Sequence, residues 1–172
     1  MKERTLVVIK PDGVKRNLIG EIIRRYESEG LAIIGMKMMT VSDELIGKHY
    51  PEDDEYVISL GEKSQKAGNA TDNVKEQGLM VLKALREYLT EGPVVAMVIE
   101  GEDAIQRVRK ITGYTDPATA DKGTIRGDLG EDSINASNSQ GRACRNLIHA
   151  SGNPEEAEKE INLWFSKKEI VK

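Results

Sequence analysis

Histidine occurs twice in this chain, and His149 stands where it could do chemistry. The apolar pair Leu147 and Ile148 before it predicts a short buried strand. After it, Asn153 and Pro154 are typical of the first positions of a helix. We therefore expect His149 at a strand-to-helix junction, beside free N–H groups and the positive end of a helix dipole, which attract anions. A neutral imidazole there could attack a phosphate, although an isolated histidine more often only closes a turn.

Four basic residues stand at or near predicted boundaries of strands, helices and loops, although the net charge of the chain is −4. They are Lys10, Arg109, Arg126 and Arg145. Guanidinium groups suit phosphates because they stay charged and bind in a bidentate manner. With His149 and the hydroxyls of Thr115 and Ser151, these cations predict a pocket for a polyphosphate. Taken singly, each of them could equally be a surface charge.

Several other chemistries are excluded by missing motifs. The chain has no Gly-x-x-x-x-Gly-Lys-Ser/Thr phosphate loop and no Gly-x-Ser-x-Gly elbow of a serine hydrolase. One cysteine and two histidines argue against a structural zinc cluster. The acidic balance argues against a general nucleic-acid binder, which would show a basic excess.

The elements that must position these residues alternate between strands and helices. Apolar runs at Thr5–Ile9, Leu31–Thr40 and Val94–Ile99 predict strands, with Lys10 at the end of the first. Helical spacing follows each of them, and the apolar stripe of the last helix runs from Ala157 to Phe165. At 172 residues the chain suits one domain, of the α/β class with helices packed on a sheet.

Two stretches lack a regular pattern. Residues 51–78 are largely polar and predict a surface excursion that is partly helical and attached to the core by Tyr56, Val57, Ile58 and Leu60. Tyr114 to Gln140 shows no sustained period, and a loop of that length is usually functional or disordered.

The sequence also bounds the compartment. Cys144 is the only cysteine, which fits a reducing environment. The first residues lead directly into a strand-like run rather than a signal peptide, and no apolar run reaches membrane-spanning length. We predict a cytoplasmic protein without a membrane segment.

Asn146 to Ser151, followed by Glu158 to Phe165, resembles the active-site signature of nucleoside diphosphate kinases. Four more motifs follow the order of that family. They are Ile9-Lys-Pro-Asp-Gly13, His49-Tyr50, Gly92-Pro-Val-Val-Ala-Met97 and Gly123-Thr-Ile-Arg-Gly-Asp128. The resemblance covers nearly the whole chain.

The resemblance implies a ferredoxin-like fold, a four-stranded antiparallel sheet covered by helices (α+β). It implies transfer of the γ-phosphate of a nucleoside triphosphate to a nucleoside diphosphate by a ping-pong mechanism with Mg²⁺. It implies a homo-oligomer, commonly a hexamer, and no metal-ligating side chains or specific nucleic acid partner.

The resemblance also assigns roles to individual residues. His149 would accept the phosphate, and Glu160 would hold its second ring nitrogen. Tyr50 and Ser151 would line the nucleophile. The nucleotide would be bound by Lys10, Val81, Arg109, Thr115, Arg126 and Asn146, with Val81 at the base and Asn146 at the sugar.

The chain departs from the family pattern at several places. Gly152 replaces an aspartate that helps to hold the hydrated metal, and Val81 replaces a phenylalanine that stacks on the base. We therefore expect a raised Mg²⁺ requirement, weak nucleotide binding and broad base tolerance. Segments 51–78 and 129–144 are longer than usual. Two alternatives stay open: a regulatory protein that has lost turnover, and a phosphohistidine relay toward proteins.

Overall fold

A four-stranded antiparallel sheet forms the centre of the protein, in a computed structural model that describes residues 2–66, 68 and 72–171. The strands are β1 (Lys2–Ile9), β2 (Ala32–Thr40), β3 (Pro93–Glu102) and β4 (Ile148–Ala150), in the spatial order β2-β3-β1-β4. All neighbouring pairs are antiparallel. The apolar strands β1 and β3 take the two central places. The ferredoxin-like expectation is confirmed.

Helices are packed around this sheet. In the described ranges they are α1 (Pro11–Lys15), α2 (Ile19–Ser28), α3 (Asp43–His49), α4 (Asp54–Lys66), α5 (Val74–Thr90), α6 (Ala104–Thr112), α7 (Ile125–Leu129), α8 (Ile134–Ser139) and α9 (Pro154–Trp164). The cap predicted for α9 is present, because the side chain of Asn153 accepts the N–H of Glu156 at 2.9 Å.

The core has two halves because successive residues of β1 point to opposite faces of the sheet. Leu6 and Val8 pack in one half with Trp164 of α9. Val7 and Ile9 pack in the other half with residues of α2 and α6. Both faces of β1 are therefore covered, and Lys10, which directly follows the strand, is buried as well.

Segment 51–78 is more regular than predicted, since α4 and the start of α5 occupy most of it. Residues 67 and 69–71 lie outside the described part. The two helices approach closely at glycines: a Cβ on Gly61 would overlap the carbonyl oxygen of Val74, and one on Gly78 would overlap that of Val57. Helices α4 (Asp54–Lys66) and α5 (Val74–Thr90) thus form a helical hairpin beside the sheet.

The stretch from Tyr114 to Gln140 also contains short helices. A 3₁₀ turn at Pro117–Thr119, α7 and α8 were not predicted, because a helix of five or six residues is too short to show a period. Helix α8 lies within segment 129–144.

No helix in the described ranges combines the length and the apolar character that a membrane span requires.

Candidate active site

His149 lies in the middle of β4, so the prediction of a strand-to-helix junction was wrong. Its backbone pairs with Val8 of β1, and β4 continues through Ala150 before α9 begins at Pro154. Leu147 lies outside the strand, with a left-handed φ of 69°. The prediction placed the strand too early in the chain. It relied on the apolar pair Leu147 and Ile148, whereas the observed strand includes the polar residue His149.

Glu160 on α9 binds the ring of His149. Nε2 of His149 lies 2.9 Å from each carboxylate oxygen, and Ser151 Oγ donates to the same carboxylate at 2.6 Å. Burial acts to raise the pKa of Glu160, but the facing imidazole outweighs it and holds that pKa below its usual value. An ionised carboxylate favours a proton on Nε2, which leaves the lone pair on Nδ1. The predicted contact of Glu160 with the ring of His149 is present, and Ser151 reaches that ring only through the shared carboxylate.

The second histidine packs behind the first. The ring centroids of His49 and His149 are 4.6 Å apart with nearly perpendicular planes, and Trp164 Nε1 donates to His49 Nδ1 at 3.3 Å. Burial lowers the pKa of His49 to about 3, so this ring is neutral. Tyr50, expected to line the nucleophile, is buried with its ring 4.5 Å from that of His49. Tyr50 thus contacts His49, which in turn contacts His149.

Lys10 is a buried cation beside Asn146. Lys10 directly follows β1, and its Nζ donates to Asn146 Oδ1 at 2.8 Å. The residue is only 5% exposed. Burial and the positive charge of Arg126 lower the pKa of Lys10 to about 7. Near neutral pH its amine is thus poised to gain a proton when an anion enters.

Arg126 is held by backbone carbonyls. Its guanidinium donates to the oxygens of Asn146, Gly113 and Ile148 at 2.9, 3.1 and 2.5 Å. Three of its five N–H donors are used in this way, and the charge stays at the site. Thr115 joins the same group, because its carbonyl accepts the Nδ2 group of Asn146 at 3.0 Å.

Arg109 and Glu156 both lie near Gly152. Arg109 is exposed, and its side chain has no hydrogen-bond or ion-pair partner among the described residues. The N–H of Gly152 donates to Glu156 Oε2 at 2.6 Å. A Cβ added to Gly152 would lie 2.8 Å from that oxygen and 3.7 Å from Arg109 Nη1. A carboxylate thus lies beside position 152, supplied from one helical turn further along the chain.

Val81 lines a cavity of about 250 Å³ whose inner end is formed by Lys10 and Asn146. This places Val81 on the predicted nucleotide side of the site. The cavity runs outward between the hairpin of α4 and α5 and the segment that contains α8.

Two residues missed by the sequence reasoning shape the loop before β4. Asp12 accepts the hydroxyl of Tyr88 at 2.6 Å and the N–H of Leu147 at 3.2 Å. Asp12 and Tyr88 thereby fix the backbone at Leu147 and so the start of β4. The Lys-Pro-Asp-Gly turn was the only signal for Asp12, and no motif pointed to Tyr88. Arg145, predicted to face the anion, instead pairs with Glu91 at 2.7 Å and lies over Tyr88.

The predicted residues thus form two groups joined by β4. One presents an imidazole nitrogen with a free lone pair, oriented by Glu160 and Ser151. The other gathers Lys10 and Arg126 around Asn146, and Arg109 stands free at the edge. Such an arrangement can accept a group carried by a highly charged anion.

Comparison with known proteins gives one consistent result. The family model for nucleoside diphosphate kinases matches residues 3–58 and 70–170. A nucleoside diphosphate kinase from Pyrobaculum aerophilum is 42% identical over 179 residues, which covers 98% of this chain and 98% of that protein. A nucleoside diphosphate kinase from Pyrococcus furiosus is 46% identical over 168 residues, covering 98% of this chain and 86% of that protein.

Solved structures agree with this result. The crystal structure of an NDP kinase from Pyrobaculum aerophilum matches with a TM-score of 0.95 at 41% identity and covers 100% of both chains. A transition-state mimic of the nucleoside diphosphate kinase from Borrelia burgdorferi, with bound vanadate and ADP, matches with a TM-score of 0.84 at 36% identity. It covers 99% of this chain and 91% of that chain.

Proposed function

Because the chain belongs to the nucleoside diphosphate kinase family, whose reaction moves a phosphate between nucleoside triphosphates and diphosphates, we propose that the transfer runs through a phosphohistidine on His149. The observation that carries this proposal is the contact of His149 Nε2 with the Glu160 carboxylate, at 2.9 Å. It supports a tautomer in which Nδ1 has a lone pair to attack with. The reaction is then of the ping-pong type.

Each half-reaction exchanges one bond. Nδ1 of His149 attacks the γ-phosphorus, the bond from that phosphorus to the β-phosphate oxygen breaks, and the nucleoside diphosphate leaves with the electron pair. The ring then carries a positive charge, which the ionised Glu160 stabilises at Nε2. In the second half, a terminal oxygen of another nucleoside diphosphate attacks the same phosphorus and the P–N bond breaks.

The cations act on the charge of the phosphates. Lys10 lines the cavity, Arg126 is bound to the backbone of Asn146 and Ile148, and Arg109 lies beside Gly152. Positioning and charge neutralisation are the main contributions that a protein makes to phosphoryl transfer. Asn146 would contact the sugar with the same side chain that binds Lys10, and the Thr115 hydroxyl would bind phosphate.

We propose Mg²⁺ as the metal of this reaction, bound through the phosphates of the nucleotide. The cluster of His49, His149 and Glu160 does not fit this ion, because Mg²⁺ prefers oxygen ligands and two of the three groups offer nitrogen. His49 Nδ1 is also already bound to Trp164. The carboxylate of Glu156 does fit, as an oxygen group that would hold a metal-bound water. Mg²⁺ supplies neutralisation of the phosphate charge.

Phosphate labelling tests the nucleophile. Incubation with ATP labelled in the γ-phosphate should leave one acid-labile, base-stable phosphate on the protein. His149→Asn should lose both label and turnover, whereas His49→Asn, the matched control, should keep the label. Label that persists in His149→Asn refutes the assignment.

A coupled assay with ATP and GDP separates the alternatives. A nucleoside diphosphate kinase discharges the label to GDP and forms GTP. A relay toward proteins would keep the label until a protein acceptor is added, and a regulatory protein without turnover would show neither.

Self-association and location extend the proposal. β2 is an edge strand, and its Met36 and Met38 are more than half exposed. This apolar edge supports a homo-oligomer, and a hexamer is the size common in the family. Sedimentation velocity of wild-type and Met38→Glu tests it, with a smaller particle expected for the variant. The cytoplasmic location stays a prediction.

A further inference from the structure

The outer part of the cavity described above is built by the two long segments of the chain. Leu60, Lys63 and Val81 line it from the helical hairpin, and Asn138 and Cys144 line it from α8 and the loop that follows. Its volume of about 250 Å³ is below the roughly 300–1,000 Å³ of pockets for whole drug-sized ligands. It therefore suits one ring system rather than a complete nucleotide.

The position of the cavity indicates which part of a substrate it takes. Its inner end is formed by Lys10 and Asn146, next to the site of phosphate transfer. A nucleotide whose phosphates reach His149 must direct its base outward along the cavity. This step rests on the proposed function.

The walls of the cavity give the base little to stack on. In the described part of the chain, the lining residues include no aromatic side chain. Aromatic stacking contributes about 1–3 kcal/mol per base in single-strand binders. Contacts to the edge of the base consequently become the larger source of selectivity.

Besides the hydroxyl of Thr115, which is assigned to phosphate above, two polar side chains that line this cavity have no hydrogen-bond or ion-pair partner among the described residues. They are the ammonium group of Lys63 and the half-buried amide of Asn138. Arg142 also lines the cavity, but Asp132 holds its guanidinium through two contacts of 2.5 and 3.1 Å. Lys63 and Asn138 are therefore the groups free to bind a ligand.

We propose that Lys63, assisted by Asn138, selects the base by its edge and favours bases that carry a carbonyl group there. A lysine ammonium donates three hydrogen bonds and accepts none. Guanine O6 and the O4 of uracil or thymine are acceptors, whereas adenine and cytosine present amino donors at the same places. The enzyme then prefers guanine and uracil nucleotides, which differs from the base tolerance expected from Val81.

The matched pair of IDP and ADP tests this proposal, because the two differ at the 6-position in a carbonyl or an amino group. Calorimetry with Mg²⁺ should show IDP binding about tenfold more tightly than ADP, the size of one base-edge contact. In Lys63→Met the ratio should fall below about twofold through weaker IDP binding. Lys66→Met, an exposed lysine one turn further along α4 that does not line the cavity, should keep the wild-type ratio.

The outcomes separate this proposal from the one on which it rests. Equal affinities for IDP and ADP in wild-type, or a preference that survives in both Lys63→Met and Asn138→Ala, overturn the base selection. If His149 is labelled by ATP in the same preparation, the phosphohistidine function still stands. A protein that binds neither nucleotide and takes no label overturns both.

Discussion

Lys10 should take up a proton when a nucleotide binds. Its pKa of about 7 in the free protein follows mainly from burial, and the phosphates of a bound nucleotide supply the negative charge that restores its proton. With a pKa of 7, the amine is neutral in about half of the molecules at pH 7 and in about 0.9 of them at pH 8. The expected uptake is therefore about 0.5 proton at pH 7 and about 0.9 at pH 8.

Affinity should fall as uptake grows. If Lys10 stays charged in the complex, the dissociation constant increases from pH 7 to pH 8 by the ratio (1 + 10)/(1 + 1), about fivefold. Titration of the diphosphate does not confuse this result at pH 8, because its second pKa of about 6 lies well below.

Calorimetry of GDP binding in buffers with different ionisation enthalpies measures the uptake directly. The His149→Asn variant serves as the host. In Lys10→Arg within this host the uptake should fall below about 0.1 proton, since guanidinium does not titrate there. Release of protons at pH 8, or undiminished uptake in Lys10→Arg, would refute the reasoning.

The same shift in pKa has a consequence for stability. The cost of protonating buried Lys10 is fully present below pH 7 and is lost as the pH rises toward its ordinary pKa of 10.5. The difference corresponds to about 5 kcal/mol at most, and Lys10→Met gives up a hydrogen bond worth about 1 kcal/mol. Urea unfolding at pH 6 should show the variant more stable by a few kcal/mol, and this gain should vanish at pH 10.

Three further predictions concern other parts of the site. Arg109→Ala should lower kcat/KM about a hundredfold without changing the unfolding midpoint, whereas Arg126→Ala should lower both, because three backbone carbonyls lose their donor. Gly78→Ala should destabilise the hairpin by about 1–3 kcal/mol in urea unfolding, since its Cβ would meet a carbonyl oxygen. Gly152→Asp alone should not lower the Mg²⁺ concentration for half-maximal activity, because Glu156 occupies the space; a lower requirement in this variant would contradict that view.

Much of the fold follows from local signals. β1 and β3 are continuous apolar runs, and Asn153 with Pro154 marks the start of α9. Helix α4 could not be predicted with the same certainty, because it is largely polar and contains Gly61. Its packing against α5 depends on that glycine, and such a contact between distant residues is not visible in either segment alone.

The candidate site shows the same division. The motif around His149 predicted its contact with Glu160, but the sequence placed the histidine beyond its strand. The burial of Lys10 sets its pKa. This burial arises because both faces of the sheet are covered, which the spacing of residues in the sequence does not reveal. Tertiary structure also decided that Arg145 pairs with Glu91 rather than with the pocket.

The carboxylate beside Gly152 has a consequence for how relatives are compared. In a sequence alignment, a glycine at position 152 would count as the loss of an acidic residue. In space, Glu156 reaches the same place from α9. The two positions are thus alternatives for one acidic group, and evolution should exchange them together: chains with a side chain at 152 should have a short residue at 156. Surveys of this family would do better to count charges by location than by alignment position.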